Sequence, residues 1–172
     1  MNILFFVAGG VAVVSTIMVV TCSHAVHALL YLVVSLLSTG LIFYVLGAPF
    51  AATLEVIIYA GAIMVLFVFV VMMLDLGHAR EGGRKNRILP LFAGPVILSS
   101  VLLAEIAYAI IKGMERPYPV QMVSPGEVAA ELYGPYALGI EIASMLLLAG
   151  LAAAFHLARH HKERPAGEDK RR

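Results

Sequence analysis

The sequence predicts an all-α integral membrane protein with five transmembrane helices, and three observations lead there. Of its 172 residues, 61% are hydrophobic and 13% charged, against about 25% charged in ordinary soluble domains. Apolar runs of about 18 residues or more, long enough to be read as membrane spans rather than core helices, recur along the chain. The charged residues gather in the segments between those runs and in the tail. The spans fall at about 3–22, 25–46, 50–75, 89–112 and 137–158. Each is expected to be helical, because lipid cannot hydrogen-bond exposed backbone. Residues 1–158 are therefore read as one five-helix transmembrane domain, followed by a polar, basic tail at 159–172.

The first run begins after Met1 and Asn2 with no basic segment before it and no convincing cleavage site, so it is read as a retained helix rather than a signal peptide. The connections "CSH" and "GAP" at 47–49 are very short, which makes the first three helices antiparallel neighbours. Pro49 suits the first turn of the third helix, where its missing N–H is not needed. The third connection carries Arg80, Arg84, Lys85 and Arg87, and the tail carries Arg159, Lys162, Arg164, Lys170, Arg171 and Arg172. Five spans put these two segments on one side, and the positive-inside rule makes that side cytoplasmic, with the N-terminus outside. The outer connection has Arg116, with Lys112 at its border, against Glu115, Glu127 and Glu131. Tyr44, Tyr108, Tyr133 and Tyr136 fall near the outer helix ends or in the outer connection, as aromatic residues at an interface do.

Composition also excludes chemistry. The single cysteine, Cys22, rules out an intrachain disulfide and any iron–sulfur or zinc site built from several thiolates of this chain. His24 and His27 are spaced i, i+3 without a convergent carboxylate, so solvated or packing roles outweigh metal binding. His156, His160 and His161 fall at the inner interface and in the tail. The sequence holds no phosphate loop, no nucleophile–base pair and no internal repeat.

The third span holds the residues that stand out. In "LEVIIYAGAIMVLFVFVVMMLD", residues 54–75, a carboxylate and a tyrosine lie one turn apart in an apolar helix. Ionisable groups within spans usually face a protein interior or a hydrated cavity. At 3.6 residues per turn, Glu55, Tyr59, Ala62, Ile63 and Leu66 share a side. Glu55 reads either as a proton-path group or as an interfacial carboxylate near the outer end. Tyr59 lies well inside, where a phenol needs a hydrogen-bond partner. "AGA" at 60–62 permits close helix approach, and Gly61, with its weak helix preference, also permits a π-bulge. Glu105 and Glu141 lie one to two turns from the outer ends of their helices. With Glu55 they could line one hydrated pocket, or each could reach for the interface; for Glu105, beside Tyr108, the interfacial role is preferred.

The same stretch resembles the third helix of the subunit J family of bacterial proton-pumping NADH:quinone oxidoreductase, respiratory complex I, a family related to the mitochondrial sixth ND subunit. "HALLYLVVSLL" at 27–37, "GAPFAATLEV" at 47–56, "LYGPYALGIEIASMLLLAGL" at 132–151 and "AFHLAR" at 154–159 are similar to that family in order and spacing. The resemblance implies a multi-pass subunit of the bacterial inner membrane with its N-terminus periplasmic and its C-terminus cytoplasmic. It implies membrane-arm partners, subunits K, H, A, N, M and L, and a coupling role within the enzyme rather than redox chemistry of its own. NADH, FMN, iron–sulfur clusters and quinone are expected in partner subunits, with no cofactor or metal in this chain. It also implies a π-bulge at Tyr59, Ala60, Gly61 and Ala62 that continues toward Val65, and an acidic position at Glu55. Coupling and proton-path residues are expected to be Glu55, Tyr59, Gly61, Val65 and Glu141. The alternatives are a purely structural assembly subunit and, less favoured, a stand-alone small transporter or channel.

Overall fold

The computed structural model describes residues 3–75, 88–113 and 122–160. The connection carrying Arg80, Arg84, Lys85 and Arg87 lies outside the described residues, as do Arg116 and the tail beyond His160. The described chain is helical apart from short connections. Its elements are α1 (Ile3–Thr21), α2 (Ala25–Val45), α3 (Pro49–Leu54), π1 (Glu55–Ile63), α4 (Met64–Asp75), α5 (Ile88–Gly113), α6 (Pro125–Tyr133) and α7 (Ala137–His160). Among the described residues, five helices are long and apolar enough to cross a membrane: Ile3–Thr21, Ala25–Val45, Pro49–Leu74, Ala93–Ile111 and Ala137–Arg159. The third is the continuous rod made of α3, π1 and α4. The chain is therefore an all-α integral membrane protein with five candidate spans, as its composition predicts. Helix α6 was not anticipated, because its nine residues are too few and too polar to show an apolar run.

The described chain divides into two compact units, Met1–Ser124 and Pro125–Arg172. In the first, α2 is the hub: it packs against α1, against α3, π1 and α4, and against α5. The core is formed by Ala8 and Val11 of α1, Val34 and Leu41 of α2, and Leu102 and Ala109 of α5. Many large apolar side chains outside this core stay exposed, among them Ile57, Phe67, Phe69, Met72 and Met73. Lipid tails are as apolar as these side chains, so water aversion does not drive them together. What joins helices here is close approach and hydrogen bonding.

Both devices are visible. Ser38 donates to the Ala8 carbonyl at 2.6 Å, Ser35 donates to the Ala12 carbonyl at 3.3 Å, and the Ser35 and Thr16 hydroxyls are 2.9 Å apart, which stitches α1 to α2. Ser38→Ala is expected to weaken that seam by about 0.6 kcal/mol, the average for hydrogen bonds between membrane helices. The loss would be read as earlier heat denaturation of the detergent-solubilised protein, and an unchanged transition would mean that the bond adds nothing. Between α2 and α5 the Tyr31 hydroxyl sits directly over Gly94, so closely that a Cβ at that position has no room.

The turn between α2 and α3 is tight. Gly47 has φ 89°, a backbone region that suits glycine. Ala48 N–H donates to Phe43 O at 3.0 Å, and Val123 N–H donates to Gly47 O at 3.1 Å. Pro49 opens α3 in its first turn. The second unit consists of α6 and α7, joined by Tyr136 N–H to Glu131 O at 3.1 Å. None of the side chains within the spanning part of α7 is buried.

Candidate functional site

The third span changes its winding at the acid. Through Leu54 the chain is α-helical, and the Glu55 N–H still reaches the Ala51 and Ala52 carbonyls. From Glu55 to Ile63 it is π-helical, and at the far end the Met64 N–H donates to Tyr59 O, five residues back. Nine residues of π-helix is long, since such winding is mostly confined to single turns and recurs at functional sites. The segment encloses Tyr59, Ala60, Gly61 and Ala62 and starts one turn earlier, at Glu55.

This winding alters which residues share a face. Each i→i+5 ring takes in one residue more than an α-helical ring, so side chains seven apart, nearly in line in an α-helix, diverge. The side on which Glu55, Ala62 and Leu66 align at 3.6 residues per turn is thus specific to the α form. Conversion between the two windings would turn everything beyond the segment relative to Glu55.

Gly61 lies inside the segment with its α-carbon exposed. A Cβ built on it would stand 3.1 Å from the Val56 carbonyl oxygen, the group that π-helical pairing assigns to its own N–H. The absence of a side chain here keeps that ring free of crowding. Glu55 is partly buried, and its stem runs along α2: a Cβ on Gly40 would lie 3.3 Å from Val56 Cγ2 and 3.8 Å from Glu55 Cγ. The bare backbone at Gly40 therefore admits the start of the π segment against α2, the close approach that small residues allow. Residues of α2, α3 and π1, with Ile106 of α5, line an open groove of about 420 Å³ whose polar members are Tyr44 and Thr53.

Tyr59 is 51% exposed and Val65, in α4 just past the π segment, 61% exposed, so both present themselves to whatever surrounds this unit. Glu141 stands on the exposed surface of α7, in the second unit, and is not assigned to the π1 site. Glu105 departs from its preferred reading. It does not reach for the interface: it is 8% exposed, whereas its neighbour Tyr108 is 48% exposed. The reason is helical phase, because Glu105 shares the α5 face of Leu102 and Ala109, both of which are in the core.

At the end of the first hairpin the His24 and His27 rings meet edge to face at 5.8 Å, and Cys22 Sγ approaches His24 O at 3.7 Å. Among the described residues, no three His, Cys, Asp or Glu side chains are grouped to hold a metal ion. The functional neighbour that sequence reasoning missed is Gly40. The signal for it was the one glycine of the second span, one helix before the acid that it contacts.

With this geometry in place, the comparisons with known proteins are specific. The family model for NADH-ubiquinone/plastoquinone oxidoreductase chain 6 matches residues 15–157. The chain is 47% identical to NADH-quinone oxidoreductase subunit J of Escherichia coli strain K12 over 169 residues, which covers 98% of this chain and 90% of that protein. It is 50% identical to subunit J of Pseudomonas aeruginosa over 161 residues, covering 92% and 97% respectively. The subunit J of Rhodobacter capsulatus is 33% identical over 167 residues, covering 92% and 81%. The chain accordingly belongs to the NADH-ubiquinone/plastoquinone oxidoreductase chain 6 family, as a relative of the bacterial NADH-quinone oxidoreductase J subunits.

Proposed function

We propose that this chain couples quinone reduction to proton translocation in the membrane arm of NADH:quinone oxidoreductase by switching its third span between π and α winding. The single observation that carries the reading is the nine-residue π segment holding Glu55, Tyr59 and Gly61 together. In the π form Gly61 keeps the widened ring uncrowded and Glu55 lies on Gly40. Conversion to the α form turns Val65 and the rest of α4 relative to Glu55, opening or closing a path for water. Tyr59 holds one hydrogen-bonding arrangement through its exposed phenol, and Glu55 tunes the path by its charge. Glu141 of α7 is a further coupling acid in this reading.

The orientation follows from the distribution of lysine and arginine: N-terminus periplasmic, C-terminus cytoplasmic, in a bacterial inner membrane. The exposed apolar surface of π1 and α4 faces neighbouring membrane-arm subunits, which by resemblance are K, H, A, N, M and L. This chain carries no redox centre of its own, and NADH, FMN, iron–sulfur clusters and quinone belong to partner subunits.

Gly61→Val in the assembled enzyme tests the switch. Protons moved per quinone reduced should fall severalfold while the complex still assembles; normal quinone reduction with normal pumping would remove the switch. Glu55→Gln asks about charge alone. It preserves shape and hydrogen-bonding capacity, so a fall in pumping with assembly intact is the expected result, and unchanged pumping would reduce Glu55 to an anchor. A purely structural reading draws on the packing of Gly40 against Val56. It predicts fewer complexes rather than poorer coupling in each.

A further inference from the structure

One side chain of the third span is covered where its neighbours are not. Met64 is 4% exposed, between Ile63 at 41% and Val65 at 61%. It is the first residue of α4, and its N–H donates to Tyr59 O to close the last π ring. The change of winding turns Val65 beside it and leaves Met64 itself unassigned.

The covered positions of the rod form one stripe whose spacing changes along the way. Ala52 is buried, Glu55 and Ala60 are partly buried, Met64 is buried, and Val68 and Val71 are partly buried. Steps of three and four residues are those of one face of an α-helix. The five-residue step from Glu55 to Ala60 is that of π pairing. Without the longer step the two ends of the stripe lose register. At 3.6 residues per turn, Ala52 and Met64 stand about a third of a turn out of phase. The wider rings turn less per residue, so the nine residues of π1 bring both ends back toward one side. That side is where α2 lies, the hub on which α3, π1 and α4 pack. An α-wound span therefore seats one end on α2 and turns the other away.

The α3 end is the fixed one. Gly47 turns the chain at φ 89° just before it, Ala48 N–H donates to Phe43 O, and the bare backbone at Gly40 makes room for Ala52 O, Glu55 and Val56. In α4, Met64 is the one buried side chain among the described residues. We infer that Met64 is a positioning residue for the coupling switch, a latch whose seating against α2 holds the third span in π winding. Conversion to α winding withdraws it. Its unbranched, flexible side chain fills such a seat without demanding a single fit. This role rests on the change of winding proposed for the third span, with Met64 deciding which form is held.

The test uses the assembled enzyme. Met64→Ser takes the apolar side chain out of its seat, so the backbone ladder across residues 55–63 should move to i→i+4 pairing and the protons moved per quinone reduced should fall severalfold. Met64→Leu keeps volume and apolar character, an exchange that cores tolerate well, and should keep both the π ladder and the wild-type ratio. Wild-type maps at rest and during turnover read the latch without a variant: wherever the third span is α-wound, Met64 should stand away from α2. An α-wound span with Met64 still buried against α2, or a Met64→Ser enzyme with an unaltered π ladder, would overturn the inference. An altered ladder with unchanged pumping would support the latch and count against the coupling reading instead.

Discussion

Gly61→Ala is expected to shift the Glu55–Ile63 segment toward ordinary α-helix and to lower the protons moved per quinone reduced. Two effects act in the same direction. Alanine is favoured over glycine in an α-helix interior by about 1 kcal/mol, about a fivefold change in a two-state equilibrium. The added Cβ also stands 3.1 Å from Val56 O, a contact that crowds the ring closed by π pairing. In an α-helix the same N–H pairs instead with Ile57 O, one residue nearer. The measurement is the backbone ladder across residues 55–63 in the variant complex, taken with the ratio of pumping to quinone reduction. An unchanged ladder would show that neighbouring helices hold the π winding firmly enough to override local preference. An altered ladder with unchanged pumping would separate the winding from coupling.

Gly94→Ala should produce the largest loss of assembled protein. Its Cβ would overlap the Tyr31 hydroxyl and stand 3.0 Å from Tyr31 Cζ and 3.5 Å from Cε1. Tyr31 is 8% exposed and has little room to swing away. Forcing extra volume into a packed site costs about 1–3 kcal/mol, here at the contact that joins α5 to α2. The expected outcome is a severalfold drop in complex recovered from membranes, with near-normal quinone reduction in each complex that remains. Tyr31→Phe in the same chain should restore part of the yield, because it removes the overlapping oxygen and leaves the tighter ring contact. Wild-type yield from Gly94→Ala alone would mean that the two helices separate at little cost.

These two glycines also show what could be read from the chain in advance. Gly61 stood out because it interrupts an apolar run beside a carboxylate and a tyrosine, so its neighbourhood was legible from order alone. Gly94 sits in an equally ordinary-looking helix, and nothing adjacent in sequence announces that a tyrosine from another helix rests on it. Gly40 is the same kind of case, since its meaning lies in the Val56 and Glu55 side chains that it admits. Glu105 was misjudged for a related reason. Its distance from the helix end suggested an interfacial carboxylate, but the face it occupies is set by the contact of Leu102 and Ala109 with α1 and α2. Helix α6 escaped notice because a nine-residue amphipathic helix has no hydrophobic run to betray it.

Residue composition and order were enough for the class of protein, the five spans and the segment that carries the acid, tyrosine and glycine. The reason is the solvent: in lipid every backbone group must bond within its own segment, so a long apolar run is read as a helix. Which side of each rod meets a neighbour, how far the π winding extends, and which carboxylate is buried depended on the packed structure. Those outcomes turn on close contacts between residues far apart in the chain, and apolar helices in an apolar medium carry little pattern along their length to foretell them.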